Sequence, residues 1–422
     1  PLESVIIFTE NGIHNITTNA LGKASLKNFP DQGQIRLNLL GYKPLMISIL
    51  EVLEGKKIIQ MTSEDEVLEE VVLSVARSQS TRDKIAEQVG IISKNEIELG
   101  AVATGADLLE INPNIRIQKS QGGGGSPVLR GFEANRVLIV VDGVRINNAI
   151  YRSGHLQNAI TIDPHNIDRV EVTFGSSSVG YGSDALGGVI HYYTKSPKLN
   201  SKTPIQSDLS FNFNHANLSF VNNLSTALSY KNWGSLTSVS YSSFGNIRIG
   251  KSRNHGFSDW GLTPYHSLNS RNQFKAKPTT NSRPTIQKNT AYDQLDVFQK
   301  FLVQLPRDMF LSLNLQYSES SDIDRYDKLV EERNGSLRFS EWYYGPQKRF
   351  FFSPQLKFFM GRNWLKKGTL TAAYQNVEES RINRNFGSLS RSHQIENVNV
   401  FSVTADFYGN IAEGHSVSYG LE

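Results

Sequence analysis

The chain has 422 residues, no cysteine, and 44 Lys+Arg against 40 Asp+Glu, for a formal net charge of +4. The missing thiols exclude disulfide scaffolds, Cys-ligated zinc, iron–sulfur clusters and thiol catalysis, and so small a charge balance is not that of a nucleic-acid binder with a concentrated basic face. Mean hydropathy is −0.35 and no apolar run approaches the ~20 residues of a spanning helix, but a membrane β-barrel stays open because its strands are only half apolar.

Residues 1–65 read as short strands at 5–8, 24–26, 35–40, 45–50 and 57–61, punctuated by Asn11-Gly12, Leu21-Gly22 and Gly41-Tyr42-Lys43-Pro44. That spacing predicts a small β-sandwich. Residues 66–79 form a linker. Residues 80–196 mix signals: helices are expected at 83–88 and 106–110, and Val137 to Val141 is an apolar, mostly β-branched run closed by Asp142-Gly143. Such a run predicts a strand buried on both faces and ended by a turn. A second strand is expected at 167–174. The stretch Gly122-Gly123-Gly124-Gly125-Ser126 has the composition of a flexible linker. It also invites a phosphate loop, although no Lys-Ser/Thr follows.

Residues 205–422 alternate with period 2. Leu209, Phe211 and Phe213 alternate with Ser210, Asn212 and Asn214; Phe401, Val403, Ala405 and Phe407 alternate with Ser402, Thr404 and Asp406. Strands are expected at 205–214, 224–231, 235–244, 292–304, 309–319, 349–360, 368–379, 395–408 and 415–421. Short turns at 232–233, 305–308, 361–367 and 409–414 alternate with polar stretches at 215–223, 245–291, 320–348 and 380–394. A soluble sandwich shows similar alternation of residues, but the regular exchange of short and long connections is that of an outer-membrane barrel. Phe350, Phe351, Phe352, Trp342, Tyr343 and Tyr344 near long connections, and Trp233 and Trp364 in short ones, fit aromatic girdles at two interfaces.

Four pieces of sequence carry a resemblance. They are Leu129-Arg130-Gly131-Phe132, Val141-Asp142-Gly143-Val144-Arg145, Ile167-Asp168-Arg169-Val170-Glu171-Val172, and Tyr181-Gly182-Ser183-Asp184-Ala185-Leu186-Gly187-Gly188-Val189-Ile190. In this order, ahead of alternating strands, they resemble the plug domain of TonB-dependent outer-membrane receptors. Residues 1–65, with Gly22-Lys23-Ala24-Ser25-Leu26, Phe29-Pro30 and Leu40-Gly41-Tyr42, resemble the carboxypeptidase-regulatory-like β-sandwich. Within 66–79, Glu70, Val71, Val72, Leu73, Ser74 and Val75 resemble a TonB box; a short β-branched segment can add to a partner's sheet edge, and it can equally be an interdomain strand.

The fold class expected is therefore mainly β. It comprises a small N-terminal β-sandwich (1–65), an α+β plug domain (80–196), and the first part, about nine strands of roughly 22, of a transmembrane antiparallel β-barrel (205–422). That shortfall, the ending at Glu422 and the absence of a leader before Pro1 are read as marks of a fragment or of a removed signal. The resemblance implies a transporter, not an enzyme, with no cofactor. It would sit in the outer membrane, plug and N-terminal domain facing the periplasm, and import an iron complex, haem or haemoprotein-derived haem on proton-gradient energy. Its partners would be the inner-membrane TonB complex, outer-membrane lipid, and a small-molecule or haemoprotein ligand, with no nucleic acid.

Tyr151, Arg152, His155 and Gln157 resemble the plug apex of receptors grouped with haem uptake, with His155 a candidate axial ligand because imidazole suits haem iron. His255 and His266, in the long connection, are candidates for the same vestibule. Arg130 and Glu171 are expected to make charged contacts between plug and barrel wall, or else to be plain surface charge of small energetic weight. Siderophores, cobalamin and glycans remain open as substrates. A surface-anchored or soluble β-rich adhesin or glycan-binding protein is the alternative of a different class.

Overall fold

The computed structural model describes residues 2, 5–9, 14–39, 45–54, 58–61, 71–72, 80–81, 87–150, 158–250, 252, 254–267, 274, 276–412 and 415–422. The chain divides into two units, Pro1–Val71 and Val72–Glu422.

In the first unit, β1 (Ile6–Thr9), β2 (Asn15–Thr17), β3 (Gln34–Asn38) and β4 (Leu45–Ser48) precede helix α1 (Ile49–Glu54). Alternation sends Ile7, Ile35 and Leu37 to one buried face, which Val5 and Ile49 complete. Among the described residues these strands make one antiparallel sheet, β2-β1-β3-β4, a single layer rather than the two of a sandwich. The stretches expected as strands at 24–26 and 57–61 lend Leu26, Ile59 and Met61 to the core without pairing. The strand expected at 45–50 stops at Ser48, where α1 begins.

The second unit opens with β5 (Gln88–Ile92), α2 (Lys94–Gly100), β6 (Ile115–Gln118), β7 (Ser126–Leu129), β8 (Val137–Val141), β9 (Val144–Arg145), β10 (Ile167–Phe174) and β11 (Gly188–Thr194). Five of these form a sheet in the order β9-β8-β11-β10-β5, with β8 and β11 parallel. All of Val137–Val141 is buried, as its unbroken apolar run requires of a strand covered on both faces. Most of the helix expected at 83–88 lies outside the described residues, and Gln88 opens β5. The helix present is α2, started by a capping box in which Ser93 and Glu96 bond each other's backbone. At 106–110 the chain makes a 3-10 turn, Asp107–Ile111.

The remaining strands are β12 (Ile205–Asn214), β13 (Ser219–Ser229), β14 (Trp233–Phe244), β15 (Tyr292–Leu305), β16 (Met309–Ser320), β17 (Phe339–Tyr344), β18 (Lys348–Arg362), β19 (Leu365–Asn385), β20 (Ser392–Ala412) and β21 (His415–Leu421). All but β17 pair in sequence order as one antiparallel meander; β17, from the connection before β18, pairs with the far end of β19.

Register explains the two faces of this wall. Leu209, Leu224, Val239, Val297, Tyr317 and Phe350 stand opposite one another across six strands. One residue along, Asn223, Ser240, Asp296, Ser318 and Arg349 form the adjacent row on the other face. The apolar face is bare: Leu209 is 78% exposed and Phe401 78%, whereas Ser240 on the polar face is 1% exposed. Fully burying one such apolar side chain stabilises by about 1.5–3 kcal/mol, so a wall that bares many of them and buries serines is built for lipid outside and a polar lumen.

Candidate functional site

The plug meets the wall along a polar seam. At the end of β8 the chain turns through Asp142 (φ 47) and Gly143 (φ 89), a left-handed conformation that Asp tolerates and Gly favours. The turn projects the Asp142 carboxylate toward the wall. It accepts hydrogen bonds from the Thr194 amide at 2.9 Å, Thr194 Oγ1 at 2.5 Å, Lys300 Nζ at 2.9 Å and Asn314 Nδ2 at 2.8 Å. Burial works to raise this carboxyl, but Lys300 and Thr194 hold it below the ordinary carboxylate value. The Lys300 side chain is itself 8% exposed. Losing one partner of so enclosed an ion pair costs about 3–5 kcal/mol.

Two further contacts continue from this turn: Gln355 Nε2 donates to the Asp142 carbonyl at 3.3 Å, and Gln375 Nε2 to the Arg145 carbonyl at 2.9 Å. Deeper along the seam, Asp163 caps the short turn Pro164–Asn166. It accepts from Ser240 Oγ on the wall at 2.6 Å and from Asn166 Nδ2 at 2.8 Å. Burial would raise Asp163; His165 and Ser240 hold it low. Gln294 Nε2 donates to the Ile160 carbonyl at 2.9 Å, Arg349 Nη2 to the Thr161 carbonyl at 3.1 Å, and Tyr326 Oη to the Lys119 carbonyl at 2.7 Å. Each donor is a wall or loop side chain on an inward position.

The glycine run is part of this seam rather than a linker. A Cβ at Gly123 would lie 2.8 Å from Tyr292 Oη and 2.9 Å from Ile160 Cδ1, and one at Gly125 would lie 2.2 Å from Ile117 Cγ2. Tyr292 stacks on Phe244 at 4.5 Å between ring centroids. The backbone at Gly122–Gly123 is pressed against that ring, and no larger residue fits without displacing it.

The residues expected to act are placed as follows. Arg130 donates to Gln88 and lies 5.2 Å over the Phe174 ring, contacts inside the plug. Glu171 is fully buried in β10 and accepts from Arg169 Nε at 2.9 Å. The seam is carried instead by Asp142, Thr194 and Asp163 against Lys300, Asn314 and Ser240. One signal for Lys300 was available: a lone cation on the inward face of 292–304, between Phe298 and Leu302.

Tyr151, Arg152, His155 and Gln157 lie outside the described residues, as do Glu70, Leu73, Ser74 and Val75; Val71–Val72 is a short strand paired with Ser80–Thr81. His266 sits in a two-residue strand, Tyr265–His266, paired with Thr279–Thr280. Partial burial and the Lys288 charge lower its pKa, which favours the neutral ring that can ligate a metal. His255 packs on Trp260 at 5.3 Å and accepts from the Phe257 amide at 3.1 Å. Among the described residues no cluster of His, Asp and Glu is arranged to hold a metal ion.

The fold and the seam together define a plugged β-barrel, present here in part. Residues 81–189 match the family model described as the TonB-dependent receptor plug domain. The vitamin B12 transporter BtuB of Vibrio vulnificus (strain YJ016) is 32% identical over 177 residues, 41% of this chain and 26% of that protein. The hemin receptor of Yersinia pestis is 32% identical over 136 residues, 32% of this chain and 20% of that protein. Among solved structures, the FrpB iron transporter of Neisseria meningitidis superposes with a TM-score of 0.61 at 16% identity, over 79% of this chain and 47% of that one. Residues 81–189 are thus similar to the plug domain of that family, and the chain spans about a fifth to a quarter of the length of the curated relatives it matches.

Proposed function

We propose that the chain belongs to an outer-membrane transporter that imports a scarce nutrient, with an iron complex or haem as the leading substrate class. One observation carries the reading: a globule bonded to the polar inner face of a strand wall whose opposite, apolar face is bare. Such a plug blocks a lumen and must be rearranged to open it. Hydrogen bonds and buried ion pairs suit that task, because they fix one position yet exchange for water once displaced. The printed names of the relatives, a vitamin B12 transporter and a hemin receptor, support import of a bulky metal-bearing solute.

In this reading residues 1–65 are a carboxypeptidase-regulatory-like domain in the periplasm. Glu70 to Val75 is the segment TonB pulls by strand addition. Tyr151, Arg152, His155 and Gln157 at the plug apex, with His255 and His266 in the loop 245–291, receive the substrate. The energy comes from the inner-membrane proton gradient, and no covalent step is needed.

Two experiments on the full-length protein test this. A strain lacking the gene should fail to grow on one of haem, a ferric siderophore or cobalamin as sole supply; growth equal to the parent on all three contradicts import, and is what an adhesin predicts. Deleting 70–75 should abolish uptake while surface binding of the labelled solute persists. Uptake that survives the deletion rejects the box.

A further inference from the structure

Between plug and wall, on the short-turn side, lies a cavity of about 580 Å³, within the size range of small-molecule sites. Its walls fix its place: Leu302 and Phe310 flank the turn at 306–308, and Phe359 and Lys367 flank that at 363–364. The long connections are at the opposite ends of the same strands.

The plug side of the cavity is a stack. The Arg169 guanidinium lies 4.1 Å from the Tyr193 ring centroid, and the His191 ring stacks on Tyr193 at 3.9 Å. Two polar groups in this lining lack partners. The Tyr193 hydroxyl is buried with no hydrogen-bond partner among the described residues, and leaving such a group unpaired costs about 1–3 kcal/mol. Burial raises its pKa well above the ordinary tyrosine value, so it keeps its proton. Lys357, exposed at the open side of the cavity on an inward position of β18, has no ion-pair partner among the described residues, whereas Lys300 is held by Asp142 and Arg169 by Glu171 and Asp168. The cavity thus offers the Lys357 ammonium beside the rings of Phe359 and Tyr408, with the Tyr193 hydroxyl sealed away from it.

We propose that this cavity is a second solute site, taking an oxyanion carried on an apolar or aromatic body, with Lys357 facing the charge and the rings of Phe359 and Tyr408 meeting the body. It rests on the transporter reading in one respect: the site holds solute on the far side of the plug from the long loops.

The test is equilibrium dialysis of the full-length protein in nonionic detergent against 2-naphthoate and its neutral counterpart 2-naphthamide. The wild type should bind the carboxylate at least about tenfold more tightly than the amide, the scale of a charge-assisted hydrogen bond. Lys357→Gln should bring the carboxylate to the level of the amide, and Lys357→Arg should retain its affinity. Partition into micelles is common to all variants and cancels, and heat-modifiable gel migration confirms that each is folded. A Lys357→Gln protein that binds naphthoate within twofold of wild type overturns the site, as does equal binding of acid and amide by the wild type. Growth on haem, siderophore or cobalamin is scored separately, so failure of import leaves the dialysis result standing.

Discussion

Asp142 and Lys300 form a buried ion pair across the seam, and the cost of that arrangement is asymmetric. Lys300→Met leaves a buried carboxylate with one charge partner fewer, and the unfolding free energy should drop by about 3–5 kcal/mol. Adding Asp142→Asn should recover part of it; thermal melts of the three variants read the coupling. Acid should have a related effect. A carboxylate whose folded pKa is depressed contributes stability above its unfolded value, about 4, and that contribution is lost as pH falls through the folded value. Asp142 and Asp163 are both of this kind, so melting temperature should fall as pH drops below about 4, and Lys300→Met should flatten that limb. Parallel curves for parent and variant would remove Asp142 from the account. Gly123 supplies a steric counterpart: Gly123→Ala should cost about 1–3 kcal/mol by overpacking against Tyr292 and Ile160, and Tyr292→Phe in the same chain should relieve part of it, as calorimetry would show. The sequence displays the Asp-Gly turn and the glycine run plainly. What it hides is the partner across the seam, because Lys300 and Ser240 lie far away along the chain and only the folded wall brings them to the plug.

At the scale of elements, period-2 alternation was legible wherever one face is bare and apolar, and the strands at 205–214 and 292–304 lie within a residue of their observed ends. It failed where both faces are polar. The stretch 380–394 reads as a loop, yet β19 runs to Asn385 and β20 starts at Ser392. These ends are held by cross-strand charges, Arg381 to Glu396 at 2.8 Å and Arg384 to Glu341 at 2.7 Å, which hydrophobic periodicity cannot register. Tyr343 and Tyr344 are likewise not a girdle; both are buried in β17, beside Trp342 and Arg325. Phe350 faces outward but Phe351 is buried in the plug core. Strand parity, rather than the polarity of the residue replaced, predicts the tolerance to charge. In the full-length protein in lipid, outward Leu224→Arg should cost about 2–4 kcal/mol, whereas Asn222→Arg, whose register partner Phe211 is also outward, should cost a similar amount despite its polar parent. Denaturant titration in vesicles that shows neither penalty would put this part of the wall outside the bilayer.

Around an apolar-cored plug, the strand wall reverses the usual polarity of a folded protein: serine, asparagine and charge inside, leucine and phenylalanine outside. Everything proposed about transport depends on lipid covering that outer face. These 422 residues hold no cysteine, so in a full-length background cleared of any cysteine elsewhere, single substitutions from Leu209→Cys through Phe213→Cys each give one unique spin-label site on β12. The decisive measurement is collision accessibility of those labels in the full-length protein in vesicles, to oxygen and to a water-soluble nickel chelate. Labels at 209, 211 and 213 should favour oxygen and those at 210 and 212 the chelate, alternating residue by residue. Labels that all meet the chelate equally, with no alternation, would contradict the account.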